Sequence, residues 1–388
     1  MKRSRDRILT THAGSLPRPD DLLELLWAKE DGLPEADERF RTRLPAAITE
    51  VVQLQAGAGV DVPSDGELGK SSFFNYVTSR LDGFEVMDSP SSAIRPDPDF
   101  PGYQAWRSAN RPTPARLPFA RQTVCVGPLA VKNGRGLAED IANFKAALAK
   151  AGGEEAFMPS ASVGIVAQRL ENRYYPTYEA YVEAIAEVMK LEYRAITEAG
   201  LLIQIDAPEM CIDRNRPEFI DKPIEDFQKR AELWVEALNH ALEGIPEEQV
   251  RYHICWGNGE GPHQRDIALT DIVEVMLKVH AGAYSVEASN PRHGHEWKVW
   301  EDVKLPDGKV LIPGVIDSVT NFVEHPELVA ERILRFAQIV GRENVIAGTD
   351  CGFGTSAAST NVYPPIVWAK LKSLAQGAEL ASATLWRS

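Results

Sequence analysis

Eight short apolar runs, each followed by chain with helical character, constrain the fold of this 388-residue chain more than any other feature. They lie at 8–13, 59–65, 155–161, 201–206, 251–256, 283–288, 310–316 and 344–350. Each is long enough for a strand and too short for a helix with a core face. Apolar residues recur at helical spacing over 45–57, 178–199, 223–242, 269–280, 327–340 and 363–378, and Thr270-Asp271 ahead of Ile272-Val273 predicts an N-cap there. Strands alternating with helices make a parallel sheet, and eight strands close a barrel. The competitor is an open doubly wound sheet, which carries a G-x-G-x-x-G loop after its first strand. Here that position reads Gly14-Ser15-Leu16-Pro17-Arg18-Pro19. The expected class is α/β, a (β/α)8 TIM barrel.

One region breaks the rhythm. Residues 87–121 are rich in Pro, Ser and Arg, and 122–130 reads as a strand outside the eight. The expectation is one barrel over 1–388 with an insertion at about 82–135. That insertion would form a hairpin or loop arm over the barrel mouth or an oligomer contact, so a homo-oligomer is possible.

A formal net charge of -14 gives no electrostatic footprint for nucleic acid or an anionic membrane. No apolar run approaches a membrane span, and Met1–Arg7 leads into Ile-Leu-Thr-Thr-His rather than a signal-peptide core. A cytoplasmic enzyme is expected. The four cysteines, Cys125, Cys211, Cys255 and Cys351, are too few and too scattered for a disulfide framework.

Barrel enzymes place their chemistry at the C-terminal ends of the strands. The fifth strand ends His253-Ile254-Cys255, and strand residues i and i+2 share a face. The eighth ends Thr349-Asp350-Cys351-Gly352 and the sixth Val286-Glu287-Ala288. His253, Cys255, Glu287 and Cys351 thus make a four-ligand set of the N, S and O types that zinc accepts. Two thiolates donate charge to a metal and make it a poor acid for water, so the pattern favours activating a thiol over hydrolysis. Glu287, the hard oxygen ligand, is the natural one to be displaced. For His-x-Cys alone, a core histidine beside a core cysteine is the alternative.

Further candidates sit at the same rim. Glu67 after the second strand and Asp206 at the end of the fourth could bind a substrate ammonium group; a helix cap or rim ion pair is the alternative for each. The turn Ala13-Gly14-Ser15 could offer N–H groups to a carboxylate, or be a plain tight turn. After the sixth strand, Arg292 could clamp an anion, and His293 or His295 could transfer protons.

Thr10-Thr11-His12-Ala13-Gly14-Ser15-Leu16-Pro17-Arg18-Pro19, Ser64-Asp65-Gly66-Glu67, Gln204-Ile205-Asp206-Ala207-Pro208, His253-Ile254-Cys255 and Thr349-Asp350-Cys351-Gly352 together resemble the catalytic barrel of the cobalamin-independent methionine synthase family. The resemblance runs from the first strand to the last. It implies a Zn2+ site at His253, Cys255, Glu287 and Cys351. It also implies that Glu67 and Asp206 hold the amino group of homocysteine, with Gly14-Ser15 near its carboxylate. The family's Asn-Trp pair after the third strand is replaced by Ser160-Ala161-Ser162-Val163, and its histidine after the seventh-strand aspartate by Asp317-Ser318-Val319-Thr320. The thiol-activating half is retained and the folate half altered, which leaves the methyl or alkyl donor open. Epoxyalkane:coenzyme M transferases, which resemble the same family, offer a second reading in which Arg292 meets a sulfonate. A non-catalytic zinc- or thiol-binding barrel is a third.

Overall fold

A computed structural model describes residues 1–90, 99–110, 121–152, 155–357 and 361–387. Among these residues lie ten strands: β1 (Leu9–Thr10), β2 (Leu81–Pro90), β3 (Arg121–Val131), β4 (Phe157–Ala161), β5 (Glu171–Asn172), β6 (Leu202–Asp206), β7 (Val250–His253), β8 (Ala283–Val286), β9 (Val310–Ile316) and β10 (Ile346–Thr349). Seven of them form one sheet in the order β1-β10-β9-β8-β7-β6-β4, every pair parallel.

The eighth stave is the segment 60–63, which closes the ring. Val62 bridges Thr11 in parallel, Asp61 and Val62 donate their N–H groups to the Thr10 carbonyl, and Phe157 N–H donates to the Pro63 carbonyl on the other side. The result is the expected α/β barrel, with its staves where the apolar runs lie. β4, β6, β7, β8, β9 and β10 are buried throughout, as expected of strands packed inside the barrel and under helices.

The helices form because one face of each has a core to cover. Tyr178–Glu198 buries Tyr181, Val182, Ile185, Ala186, Met189, Tyr193 and Ile196 at three- and four-residue intervals. Its N-cap Thr177 accepts from the Ala180 N–H. The helix Leu269–Met276 corrects the sequence expectation: it starts before Thr270, and its N-cap, Ala268, has no capping side chain. The Glu296 carboxylate reaches in from elsewhere and accepts from the Leu269 N–H at 2.8 Å.

Between the second and third staves, β2 and β3 pair antiparallel and β5 adds to β3 in parallel. The 122–130 run is therefore a strand, within β3. The helix Tyr103–Asn110 carries Tyr103, whose hydroxyl donates to the Glu260 carbonyl in the loop after β7. Asp99 pairs with Arg265 of that loop at 2.7 Å. Ser91, Ser92 and Arg111–Pro114, part of the insertion read from sequence, fall outside the described residues.

Glu209, just past β6, gives one test of the fold. Its Oε1 accepts from the Ser162 hydroxyl at 2.6 Å, and its Oε2 is buried with no partner among the described residues. Burial pushes the carboxyl up to about 8 from 4.5. The folded value exceeds the unfolded one, so the native state holds the extra proton. The stabilisation is complete below pH 4.5 and is lost as pH rises towards about 8. Glu209→Gln mimics the protonated form and should flatten the decline of melting temperature between about pH 5 and 8; an unchanged decline would contradict this assignment.

Candidate metal centre and acceptor pocket

Strand register assembles the site. Asp206 of β6 lies opposite His253 of β7, and His253 opposite Ser285 of β8. Two residues further along the same faces come Cys255 and Glu287. From across the ring β10 delivers Cys351. His253, Cys255 and Cys351 converge with one ligand atom each, all within 4.8 Å of one another and all buried. The two sulfurs are 3.7 Å apart.

The electrostatics suit ligation. The Cys351 thiol donates to Cys255 Sγ, which holds Cys255 well below the usual thiol range and pushes Cys351 up. One proton is thus shared by the pair, leaving thiolate character on Cys255. Burial pushes His253 down, but the neighbouring Cys255 sulfur and the Asp206 carboxylate outweigh it. His253 Nδ1 lies 3.0 Å from the Ser285 hydroxyl, and its Nε2 is buried with no hydrogen-bond partner among the described residues. A ring fixed through Nδ1 with Nε2 open is the usual state of a ligating histidine.

Glu287 stands beside the three but outside their group. Its Oε1 accepts from the Trp256 N–H at 3.0 Å and its Oε2 from the Asn290 amide at 2.8 Å. Burial first, then the charges of Cys255 and Asp350, push its carboxyl well up. Asn290 also reaches Asp350, a residue sequence reasoning passed over. Asp350 accepts five hydrogen bonds: from the N–H groups of Ala288, Ser289 and Asn290, the Ser289 hydroxyl and the Asn290 amide, at 2.8–3.1 Å. It ties the Cys351 strand to the Glu287 turn. Gly314 makes room for it, since a Cβ there would lie 2.2 Å from Asp350 Oδ1. Asp350→Ala orphans those buried donors and should cost about 2–4 kcal/mol; chemical denaturation of the metal-free protein measures it.

On the opposite side, the second stave runs into a turn where Glu67 adopts φ 54, left-handed for a non-glycine residue. Glu67 and Asp206 are both buried and interact electrostatically. Burial pushes Asp206 up to about 7, with Glu67 adding to the rise and His253 opposing it. Burial likewise raises Glu67, opposed by Lys70, whose Nζ lies 3.9 Å from its Oε2. Lys70 was not singled out in the sequence. It is buried, donates to the Pro159 carbonyl at 2.6 Å and covers the Tyr76 ring at 4.3 Å. Gly14 borders the pocket: a Cβ on it would lie 3.1 Å from Glu67 Oε1. Ser15 faces the Cys351 loop, with Gly354 N–H 3.3 Å from its Oγ.

The 290–297 loop is divided. His293 is buried, stacked on Trp256 at 4.0 Å, with Nδ1 2.9 Å from Glu296 and Nε2 3.0 Å from Asp266. Burial pushes it down, but the two carboxylates outweigh this and leave it raised. Both ring nitrogens are thus engaged, next to Cys255 through Trp256 but not in the ligand group. Arg292 is exposed and donates to the Gln264 carbonyl at 2.9 Å, and His295 is exposed. Neither is brought to His253, Cys255 and Cys351.

With this geometry in place, comparison with known proteins is direct. The catalytic domain of the cobalamin-independent synthases matches residues 173–365, which span Asp206, His253, Cys255, Glu287 and Cys351. The chain belongs to the cobalamin-independent methionine synthase family. Among similar family members, a methionine synthase of Thermococcus kodakarensis is 24% identical over 380 residues, covering 97% of this chain and 94% of that one. One of Pyrococcus furiosus is 25% identical over 348 residues, covering 88% and 85%. The B12-independent methionine synthase of Shewanella sp. W3-18-1, solved with selenomethionine, superposes with a TM-score of 0.74 at 21% identity, covering 98% and 99% of the two chains. This family's barrel is the fold seen here.

Proposed function

We propose that this chain is a zinc-dependent homocysteine methyltransferase. The observation that carries the reading is the convergence of His253, Cys255 and Cys351 beside two buried carboxylates, Glu67 and Asp206. The donor set fits zinc: two sulfurs each about 2.3 Å from a tetrahedral ion lie about 3.8 Å apart, and these are 3.7 Å apart. The open Nε2 of His253 supplies a third ligand. Glu287, which interacts electrostatically with both thiols, is the proposed fourth and the one to yield. When bound, zinc would lower the pKa of an incoming thiol and keep it ionised at neutral pH.

The protein's own groups then do the rest. Glu67 and Asp206 receive the acceptor's ammonium group, which relieves their mutual repulsion and offsets their burial. Gly14 and Ser15 are the proposed contacts for the acceptor's carboxylate. Methionine synthase is the name of the relatives matched along almost the whole chain, which supports an amino-acid acceptor. A sulfonate thiol such as coenzyme M would meet two buried acids, and Arg292 faces Gln264 instead. The donor side differs from the family pattern. Asp317 accepts from the Val319 and Thr320 N–H groups of its own turn, and Ser160 is bound to Glu192 and Tyr76. The donor therefore stays open among methyl-folate, methylcobalamin and an epoxide.

Thiol consumption tests the reading, with homocysteine or coenzyme M paired with methyl-folate, methylcobalamin and epoxide donors. Homocysteine alkylation that requires zinc is the expected result. Alkylation of coenzyme M alone, or zinc binding with no alkylation, would replace it.

A further inference from the structure

The motif Gly14–Pro19 contains a residue that the reading above does not use. Arg18 is buried, and among the described residues its guanidinium donates only to main-chain carbonyls: Nη1 to Gly354 at 2.9 Å, Nη2 to Glu67 at 2.8 Å and to Lys70 at 2.7 Å. Its Nε has no partner among the described residues. Burial pushes the group down only to about 10, so it stays charged at neutral pH. A buried charge is costly, and apolar side chains can fill space without it. What this one adds is a fork between two functional turns.

The two turns are the strained one of Glu67 and the loop that follows Cys351. The segment 14–18 lies wedged between them. The Ser64 hydroxyl donates to the Gly14 carbonyl and the Leu16 N–H to the Gly66 carbonyl. On the other side Phe353 N–H donates to the Ser15 carbonyl. The contact there is so close that a Cβ on Gly352 would lie 2.0 Å from Ser15 Oγ, and one on Gly354 2.7 Å from the Leu16 carbonyl. Arg18 ends the wedge and spans both turns with one planar group.

We propose that Arg18 is a positioning residue that couples the acceptor pocket at Glu67 to the metal-ligand loop at Cys351. An occupant that orders the Glu67 turn also orders Gly354 through the guanidinium, so the ordering cost of the Cys351 loop is already met when metal binds. By linkage the effect is reciprocal: acceptor tightens metal and metal tightens acceptor. The inference rests on the reading that Glu67 and Asp206 bind an amino acid.

L-norleucine separates this coupling from direct ligation, since it has the ammonium and carboxylate of the acceptor on an all-carbon chain as long as methionine's, and no sulfur to ligate the metal. Zn2+ affinity is measured by chelator competition with and without saturating norleucine, whose binding is followed by calorimetry. In the wild type, norleucine should tighten Zn2+ at least about fivefold. In Arg18→Leu it should still bind but leave Zn2+ affinity unchanged, and Arg18→Lys should recover part of the coupling. Melting temperatures show which variants are folded; if Arg18→Leu is not, a reduced coupling in Arg18→Lys is the deciding result. Norleucine that binds without affecting Zn2+, or coupling that survives both substitutions, would overturn the proposal. Failure of norleucine to bind the wild type would instead remove the amino-acid reading beneath it.

Discussion

Replacing Cys351 with Ser should weaken zinc binding more than about a hundredfold, beyond the 10–100-fold typical of losing an outer-shell partner, and should abolish methionine formation. Cys351 is buried and brings its sulfur within 3.7 Å of Cys255. Serine is a poor zinc ligand that stays protonated at neutral pH, so the substitution removes a proposed ligand while leaving an O–H that can still donate to Cys255. The exchange alters little volume, and the melting temperature of the metal-free protein should barely move. Chelator competition and a thiol-consumption assay measure the two losses. Zinc affinity equal to that of the wild type would remove Cys351 from the ligand set.

The second large effect is expected at the acceptor pocket. If Glu67 and Asp206 hold the acceptor's ammonium group as proposed, Glu67→Gln or Asp206→Asn should remove one charge-assisted contact, about 1.5–3 kcal/mol, which is a rise of roughly ten- to a hundredfold in KM for homocysteine. Zinc affinity should change far less, because neither residue belongs to the His253, Cys255 and Cys351 group. A thiol acid without an amino group, such as 4-mercaptobutyrate, should lose nothing in either variant. An equal loss for both thiols would show that the carboxylates shape the pocket rather than recognise an amino group. The Asp206→Asn variant also has a sign to check. Asp206 is raised to about 7 from 3.8, so the empty wild type should lose stability as pH rises through that interval, and the variant should lose less.

These effects could be framed from sequence because the informative residues lie on strands or just past their C-terminal ends. Two-residue alternation sends His253 and Cys255 to one interior point, and the eight apolar runs coincide with the staves of the ring. Ser285, two residues before Glu287 on the same face, was open to the same reasoning and sits against His253. Other features leave no periodic trace. Asp350 gathers its donors from 288–290, some sixty residues away, and only the folded ring brings them together. Arg18 bonds to main-chain carbonyls, which any residue supplies, so its partners have no composition to recognise. The start of the helix at Leu269 was misplaced because its cap comes from Glu296, far along the chain, and not from Thr270 or Asp271. The family features that the resemblance implied for His253, Cys255 and Cys351 are local in the ring; the support around them is not.

The second stave is held to its neighbours by a handful of main-chain contacts at 61–63, where β4, β6, β7, β8 and β9 share unbroken parallel ladders. The ring therefore has a seam, and amide exchange should be fastest there within the barrel wall. Glu67 follows this stave and Asp206 ends another, on the far side of β4. A molecule held by both acids would bridge the seam like a clasp on a hoop. Slower exchange at Val62 on addition of the acceptor, with little change at the ladder between β8 and β9, would be the trace of that clasp closing.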